Sequence, residues 1–169
     1  KKLSGSFHPS RLPRDFKNTK QVKPTTEEIQ FKIPDHMFKK IYQITNGSEV
    51  GVFLIVATLV NAILYRYSND EDIVIGIPVF KQKDVGNYIN DRLVIRSKLN
   101  EDITWKELLT QIQQSVKEAN EHQNFPYEEV VKVITDTNFI DNSLYKLLLR
   151  FENLHHNVIH NMMEQDLIF

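Results

Sequence analysis

Residues 52–80, VFLIVATLVNAILYRYSNDEDIVIGIPVF, decide the fold of this chain. Residues 52–64 are apolar apart from one threonine and one asparagine, and a helix that is apolar nearly all round belongs in a protein interior. Residues 72–80 are apolar after Asp72 and rich in β-branched residues without polar alternation, which is typical of a strand buried on both faces. Residues 66–70 are expected to turn the chain between them. We therefore predict that this helix and this strand pack against each other at the centre of the molecule.

The apolar helix also has to be weighed as a membrane span. Its apolar run, residues 52–64, is shorter than the ~20 residues that a span needs. We therefore favour a buried helix and expect no membrane partner.

Composition indicates one soluble domain. The chain has 169 residues, of which 41% are hydrophobic, enough for a real core. Its 21 basic and 22 acidic residues leave a net charge of -1, which disfavours nucleic-acid binding through a broad basic surface. Cysteine is absent, so disulfides and thiolate sites are excluded. With no secretory signal in the printed sequence, we expect a cytoplasmic location.

The N-terminal part divides into a strap and the start of the globular region. Residues 1–26 are rich in proline and basic residues, and are interpreted as a linker or surface strap. Residues 27–169 are interpreted as the globular part. Within it, apolar residues alternate at 29, 31 and 33, which predicts a half-buried strand.

Two helices are expected next. Asp35 is predicted to cap the first helix, whose apolar stripe is Met37, Phe38, Ile41, Tyr42 and Ile44. Gly47 is predicted to end it, and Ser48 to cap the central helix.

Beyond the central strand, the sequence pattern predicts a second strand and two more helices. Residues 93–95 are predicted to form a second core strand, and Arg96 beside them is expected to be a surface or salt-bridging residue rather than a catalytic one. Thr104 and Glu107 have capping-box spacing ahead of an amphipathic helix. Pro126 and Glu128 are expected to start a short helix.

A further strand completes the predicted order. Residues 145–151 alternate like a half-buried strand. Gly76 and Pro78 are expected to shape a strand end. The order predicts an α/β fold, a mixed β-sheet with packed helices.

Four short stretches of sequence, called blocks here, combine residues that core packing alone would not require. They are RYSNDEDIVIGIPV at 66–79, VGNYINDRLVIR at 85–96, HQNFPYEEVV at 122–131 and DNSLYK at 141–146. In this order they resemble the condensation domains of non-ribosomal peptide synthetases, which read RYSGQDDIVIGTPV, (I/V)GxFVNTLVLR, HQDxPFExLV and RNPLFQ. No Gly-rich phosphate loop and no G-x-S-x-G elbow occurs beside them.

This resemblance implies a fold and a reaction. Condensation domains have two lobes, each similar to chloramphenicol acetyltransferase, and they join a carrier-bound acyl donor to a carrier-bound aminoacyl acceptor. Both substrates ride on 4'-phosphopantetheine arms, and no cofactor is expected to bind directly. The family's HHxxxDG motif lies in the N-terminal lobe, whereas the four blocks belong to the C-terminal lobe. The chain therefore looks like a truncated C-terminal lobe, which we expect to be inactive alone and to contribute no catalytic residue.

The resemblance also points to site residues and partners. Tyr88, Asn90, His122 and Gln123 are candidates for lining the substrate tunnel. Asn90 could instead be a turn residue at a strand entry, and the His122–Gln123 pair is favoured as closing a helix C-terminus. Expected partners are the N-terminal lobe, carrier proteins and an adjacent adenylation domain.

Residues 155–161 imitate the family's catalytic motif as HHxxxHN. The aspartate and glycine are missing and the position is wrong, so we interpret this stretch as a solvated loop. His156 and His160 have the spacing of helical metal ligands but lack a third partner, so no metal site is expected.

Two other readings stay open. The chain could be a non-catalytic docking or scaffold lobe, or the same lobe of an epimerisation or heterocyclisation domain. A lobe without its partner exposes an apolar face, so we also expect self-association.

Overall fold

The computed structural model describes residues 3, 8–13, 27–81, 90, 92–134, 144–155 and 167–168. Within them the chain forms α1 (Asp35–Ile44), α2 (Glu49–Ser68), β1 (Asp72–Pro78), β2 (Arg92–Lys98), α3 (Trp105–Glu121), α4 (Tyr127–Ile134), β3 (Leu147–Leu148) and β4 (Leu167–Ile168). The described strands form one sheet in the order β2-β1-β3-β4. β1 pairs antiparallel with β2 and parallel with β3, and β3 pairs parallel with β4. This mixed sheet with packed helices confirms the predicted α/β class.

The central strand and the central helix pack together, as predicted. Every residue of β1 after Asp72 is buried, because strands flank it on both edges and side chains cover both faces. Ile73, Ile75 and Ile77 share one core cluster with Phe53 and Leu64 of α2. Burying such β-branched side chains is the main favourable term in folding.

Helix α2 is longer than its apolar run. The Ser48 hydroxyl accepts the Gly51 N–H at 3.1 Å, which confirms the predicted cap. The helix continues through Ser68 and ends where Asn69 adopts the left-handed conformation, with φ 55°. The expected turn at 66–70 is therefore wrong for residues 66–68, because nothing before Asn69 stops the hydrogen-bond ladder.

The outward face of α2 is not buried, which corrects the expectation of an all-round interior helix. Leu59, Ile63 and Tyr67 lie exposed at four-residue spacing. By length and composition the 20-residue helix could cross a membrane, so the prediction that it is too short is wrong. Its other face packs into the core, and core helices of soluble proteins meet the same criterion.

The two ends of helix α1 differ in how well they match the prediction. Pro34 occupies the N-cap position, so Asp35 is not the cap but an acidic residue in the first turn. At the other end Asn46 and Gly47 both have positive φ, and their N–H groups bond back to helix carbonyls at 3.1 and 2.8 Å. This pair of bonds is a Schellman ending, and it confirms the role predicted for Gly47.

The strand predicted at residues 29–33 is wrong. These residues are not in a strand, and Ile29 and Phe31 are 88% and 81% exposed. The alternation alone cannot form a strand, since no described strand lies beside it to pair with its backbone groups.

The half-buried strand predicted at 145–151 is also corrected. Only Leu147–Leu148 is strand, and residues 144–149 are all buried, Lys146 among them. Parallel partners on both edges place this segment inside the sheet, and interior parallel strands are covered on both faces.

The predictions for Gly76 and Pro78 have different outcomes. Pro78 ends β1, as expected. Gly76 lies within the strand, where a Cβ atom would come within 2.6 Å of the Tyr145 ring. Its missing side chain makes room for that ring and does not shape a strand end.

The second half of the chain follows the pattern closely. β2 alternates between buried and half-buried residues, and α3 opens with the complete Thr104–Glu107 capping box. Glu128 lies in the first turn of α4, which Pro126 precedes, as predicted.

Candidate functional site

One end of the sheet brings the second, third and fourth sequence blocks together. Asn90 stands just before β2, at the end of the sheet where β1 finishes. Residues 122–126, called here the α3–α4 turn, connect the two helices beside it. Leu144 and Tyr145 reach the same place from the segment that leads into β3.

Asn90 joins β2 to the α3–α4 turn. Its side chain Oδ1 accepts the Tyr127 N–H at 2.7 Å, and its Nδ2 donates to the carbonyls of Gln123, at 2.7 Å, and Phe125. The residue is only 8% exposed. Its carboxamide is thus occupied by backbone groups of a distant segment of the chain.

Tyr127 extends this contact to the rest of the sheet. Its hydroxyl accepts the Leu144 N–H at 2.9 Å, and its ring packs edge-on against Tyr145 with 6.4 Å between centroids. The Arg92 guanidinium lies 5.2 Å from the Tyr127 ring centre, within cation–π range. The sequence analysis missed Tyr127, although one signal was present: the family pattern has Phe here, and the extra hydroxyl needs a partner.

His122 and Gln123 lie in the α3–α4 turn. His122 is exposed and its Nδ1 lies 2.8 Å from the Glu118 carbonyl, so it closes the C-terminus of α3, as the structural reading predicted. Gln123 contacts Asn90 through its backbone carbonyl. Its side-chain Oε1 is buried without a hydrogen-bond partner among the described residues.

Two of the four predicted site residues are in contact at this end of the sheet, and their place in a substrate tunnel stays a prediction. Asn90 contacts Gln123, and His122 is the neighbouring residue. Tyr88 lies outside the described residues.

His155 overturns the solvated-loop interpretation at its position. It is 1% exposed, and its ring lies 5.0 Å from that of Phe53 and 4.8 Å from that of Phe80. The Phe151 N–H donates to its Nδ1 at 2.9 Å, which requires a neutral ring with the proton on Nε2. Burial lowers the pKa of His155 to about 4. His156 and His160 lie outside the described residues.

A family model described as "Condensation domain" matches residues 1–168. The chain belongs to the condensation-domain family. This confirms the resemblance that the four sequence blocks indicated.

Relatives of this condensation-domain chain carry peptide-synthase names. It is 26% identical over 149 residues to a dimodular nonribosomal peptide synthase of Bacillus subtilis (strain 168), covering 84% of this chain and 6% of the relative. It is 24% identical over 149 residues to tyrocidine synthase 3 of Brevibacillus parabrevis, covering 84% of this chain and 2% of that relative. The chain thus spans a small fraction of the relatives it matches.

Solved structures share the fold. The X-domain from teicoplanin biosynthesis, solved in complex with OxyB, matches with a TM-score of 0.67 and 18% identity, covering 88% of this chain and 34% of that one. A four-domain nonribosomal peptide synthetase bound to AMP and glycine matches with a TM-score of 0.60 and 18% identity, covering 72% and 10%.

Arg96, the remaining charged residue that the sequence analysis singled out, forms an ion pair. Arg96 donates from Nε and Nη2 to the two carboxylate oxygens of Asp72 at 2.8 and 2.5 Å. This confirms its predicted salt bridge, and the hydrogen bonds lower the pKa of Asp72. Among the described residues no cluster of metal-ligand side chains occurs.

Proposed function

We propose that this chain takes part in amide bond formation during non-ribosomal peptide synthesis. The observation that carries the proposal is the condensation-domain match along residues 1–168, with the four blocks in family order. The peptide-synthase names of its relatives support it.

In the proposed reaction both substrates are thioesters on 4'-phosphopantetheine arms of carrier proteins. The amine of the aminoacyl acceptor attacks the donor carbonyl carbon, a C–N bond forms and the C–S bond breaks. The donor arm leaves as a thiolate and takes up the proton that the amine loses. This chain supplies a wall of the substrate tunnel and a docking surface for carriers, next to an N-terminal lobe and an adenylation domain. It binds no cofactor of its own.

The geometry fits a supporting role in this reaction. Asn90 and Tyr127 connect β2, the α3–α4 turn and the entry to β3 at one end of the sheet. Such fixed backbone can orient substrates, and good orientation lowers the barrier of a two-substrate reaction. General acid–base chemistry would come from the HHxxxDG motif, which the printed sequence does not contain.

The test compares this chain with the natural full-length protein. Each is incubated with donor-loaded and acceptor-loaded carrier proteins, and the acceptor carrier is analysed by mass spectrometry. We expect the amide product from the full-length protein and none from this chain alone. Product formation by the chain alone would contradict the supporting role, and its absence from both would contradict amide synthesis.

A docking module is the second candidate. The X-domain of similar fold was solved in complex with OxyB, so a domain of this architecture binds another protein. A docking function predicts that the full-length protein binds carrier proteins, as measured by calorimetry, without forming product from any loaded pair.

A further inference from the structure

We propose that Asn90 is a positioning residue that caps helix α4 from a distant segment and thereby holds the α3–α4 turn, and that it does not contact substrate. The structural part of this proposal stands on its own, whereas its effect on turnover rests on the proposed function.

The N-terminus of α4 takes its cap from outside the local sequence. The first N–H groups of any helix lack partners within the helix and are commonly satisfied by a side chain at the N-cap. Pro126 stands before α4 and has no side-chain acceptor. Asn90 Oδ1 instead accepts the Tyr127 N–H at 2.7 Å from 37 residues away. This side chain does for α4 what a local cap does for other helices.

The other half of the Asn90 carboxamide is also occupied. Nδ2 carries two N–H groups, and it donates to the Gln123 and Phe125 carbonyls. Because Asn90 is 8% exposed, a substrate amide could use this nitrogen only by breaking one of these bonds. The residue is therefore committed to the turn.

The α3–α4 turn controls the position of Tyr127. Fixing the Tyr127 backbone also fixes its hydroxyl, which accepts the Leu144 N–H, and its ring, which packs against Tyr145. Tyr145 in turn covers Gly76 in the middle of β1. Loss of the cap at Asn90 should therefore weaken the hydrogen bond between the Leu144 N–H and the Tyr127 hydroxyl, even when no ligand is bound.

The first experiment is hydrogen–deuterium exchange on the natural full-length protein without substrate. We expect Asn90→Ala to speed exchange of the Tyr127 and Leu144 amides by roughly tenfold or more. The buried Tyr127 N–H would lose its acceptor, and this lowers the free energy needed for local opening by an amount that corresponds to such a change in rate. Asn90→Asp keeps the acceptor but loses both donors, and its carboxylate would face two carbonyl oxygens that repel it. We therefore expect the amides of the turn to exchange faster in this variant too. Asn100→Ala, an exposed asparagine just after β2, is the matched control.

Unchanged protection at Tyr127 and Leu144 in both Asn90 variants would overturn the proposal. If Asn90→Ala fails to fold, Asn90→Asp decides, because it keeps a side-chain oxygen at the place of Oδ1 while both N–H groups that donate to the carbonyls are lost. We expect its turn amides to exchange faster than those of wild type, with Tyr127 the least affected. Equal exchange for Asn90→Asp and wild type would contradict the role of the donors.

The second experiment is a double-mutant cycle on turnover with carrier-bound substrates. Asn90→Ala and Tyr127→Phe act on one turn, so we expect each to lower kcat with little change in KM, and the double variant to lose less than the product of the two effects. A raised KM with multiplicative effects would indicate substrate contact instead. If wild type forms no amide, the proposed function fails while the exchange result still decides the role of Asn90.

Discussion

At the scale of single residues, several buried polar side chains form hydrogen bonds with backbone groups. Ser10 accepts the Val74 N–H at 2.7 Å, Asn90 caps α4, and the Phe151 N–H bonds to His155. A buried polar group without such a partner would cost free energy. Ser10 and Asn90 therefore join segments that are distant in sequence, whereas His155 bonds within its own segment.

The contact between Gly76 and Tyr145 leads to the first prediction. Gly76→Ala would place a Cβ atom within 2.6 Å of the Tyr145 ring, in a strand that cannot shift because both edges are paired. We expect the free energy of unfolding to fall by ~1–3 kcal/mol, measured by urea denaturation. Tyr145→Leu in the same background should recover part of the loss, and strictly additive effects would argue against the ring contact.

His155 leads to a prediction about pH. Its folded pKa of about 4 lies below the ordinary value of 6.5, so the unfolded chain binds the extra proton first as pH falls. The free energy of unfolding is therefore at its full value above pH 6.5 and decreases as pH falls from 6.5 towards 4. At about 1.4 kcal/mol per pKa unit, the loss is up to ~3 kcal/mol. The nearby positive charges of Lys81 and Arg150 also disfavour the charged ring.

The measurement is urea denaturation at steps between about pH 7 and pH 4.5, which spans the window in which His155 protonates in the unfolded chain. His155→Gln has no proton to gain in this window, so its unfolding free energy should fall much less than that of wild type. The same pH slope in both proteins would show that His155 does not carry it.

At the scale of elements, Ser10 attaches the predicted strap to the sheet. β3 pairs with β1 at Gly76, and Ser10 bonds the β1 backbone nearer its start, at the Val74 N–H and the Asp72 carbonyl. Residues 8–13 thus cover part of a strand edge that would otherwise need another partner.

We predict that Ser10→Ala destabilises the protein by ~1–3 kcal/mol, because it leaves the Val74 N–H buried without a partner. Thermal unfolding measures the effect. Thr110→Ala removes an exposed hydroxyl from α3 that bonds the Lys106 carbonyl, and this control should change stability by less than ~0.5 kcal/mol. An equal effect of both substitutions would contradict the edge-covering role.

Helices α1 and α2 differ in how their apolar stripes are used. α2 buries one stripe against β1 and leaves Leu59, Ile63 and Tyr67 exposed. α1 buries no residue, although its stripe is as regular as the one on α3. An amphipathic pattern therefore predicts the helix but not what covers its apolar face.

At the scale of the whole molecule, these exposed apolar faces predict self-association of this chain. Sedimentation velocity should show mass rising with concentration, since contiguous exposed apolar surface promotes association. Leu59→Lys with Ile63→Lys should shift the chain towards monomer. Gln113→Lys places a charge on an exposed polar position of α3 and serves as the control. A monomer at all concentrations would contradict this prediction.

Sequence alone determined the elements whose signals are local. Local sequence was enough to predict the apolar run of α2, the buried strand β1 and the Thr104–Glu107 capping box. The four blocks indicated the family. Of the candidate tunnel residues, the structure joins Asn90 to Gln123, and their role in a substrate tunnel stays a prediction.

Only the tertiary structure decided what depends on neighbours distant in sequence. Residues 29–33 and 145–151 have the same alternation, yet the first segment is exposed and most of the second is buried inside the sheet. His155 resembled a loop residue and is buried among aromatic rings, and Asn90 caps a helix that begins 37 residues later. Periodicity records which side chains a segment offers, whereas burial and hydrogen bonding depend on the segment that folding places opposite it.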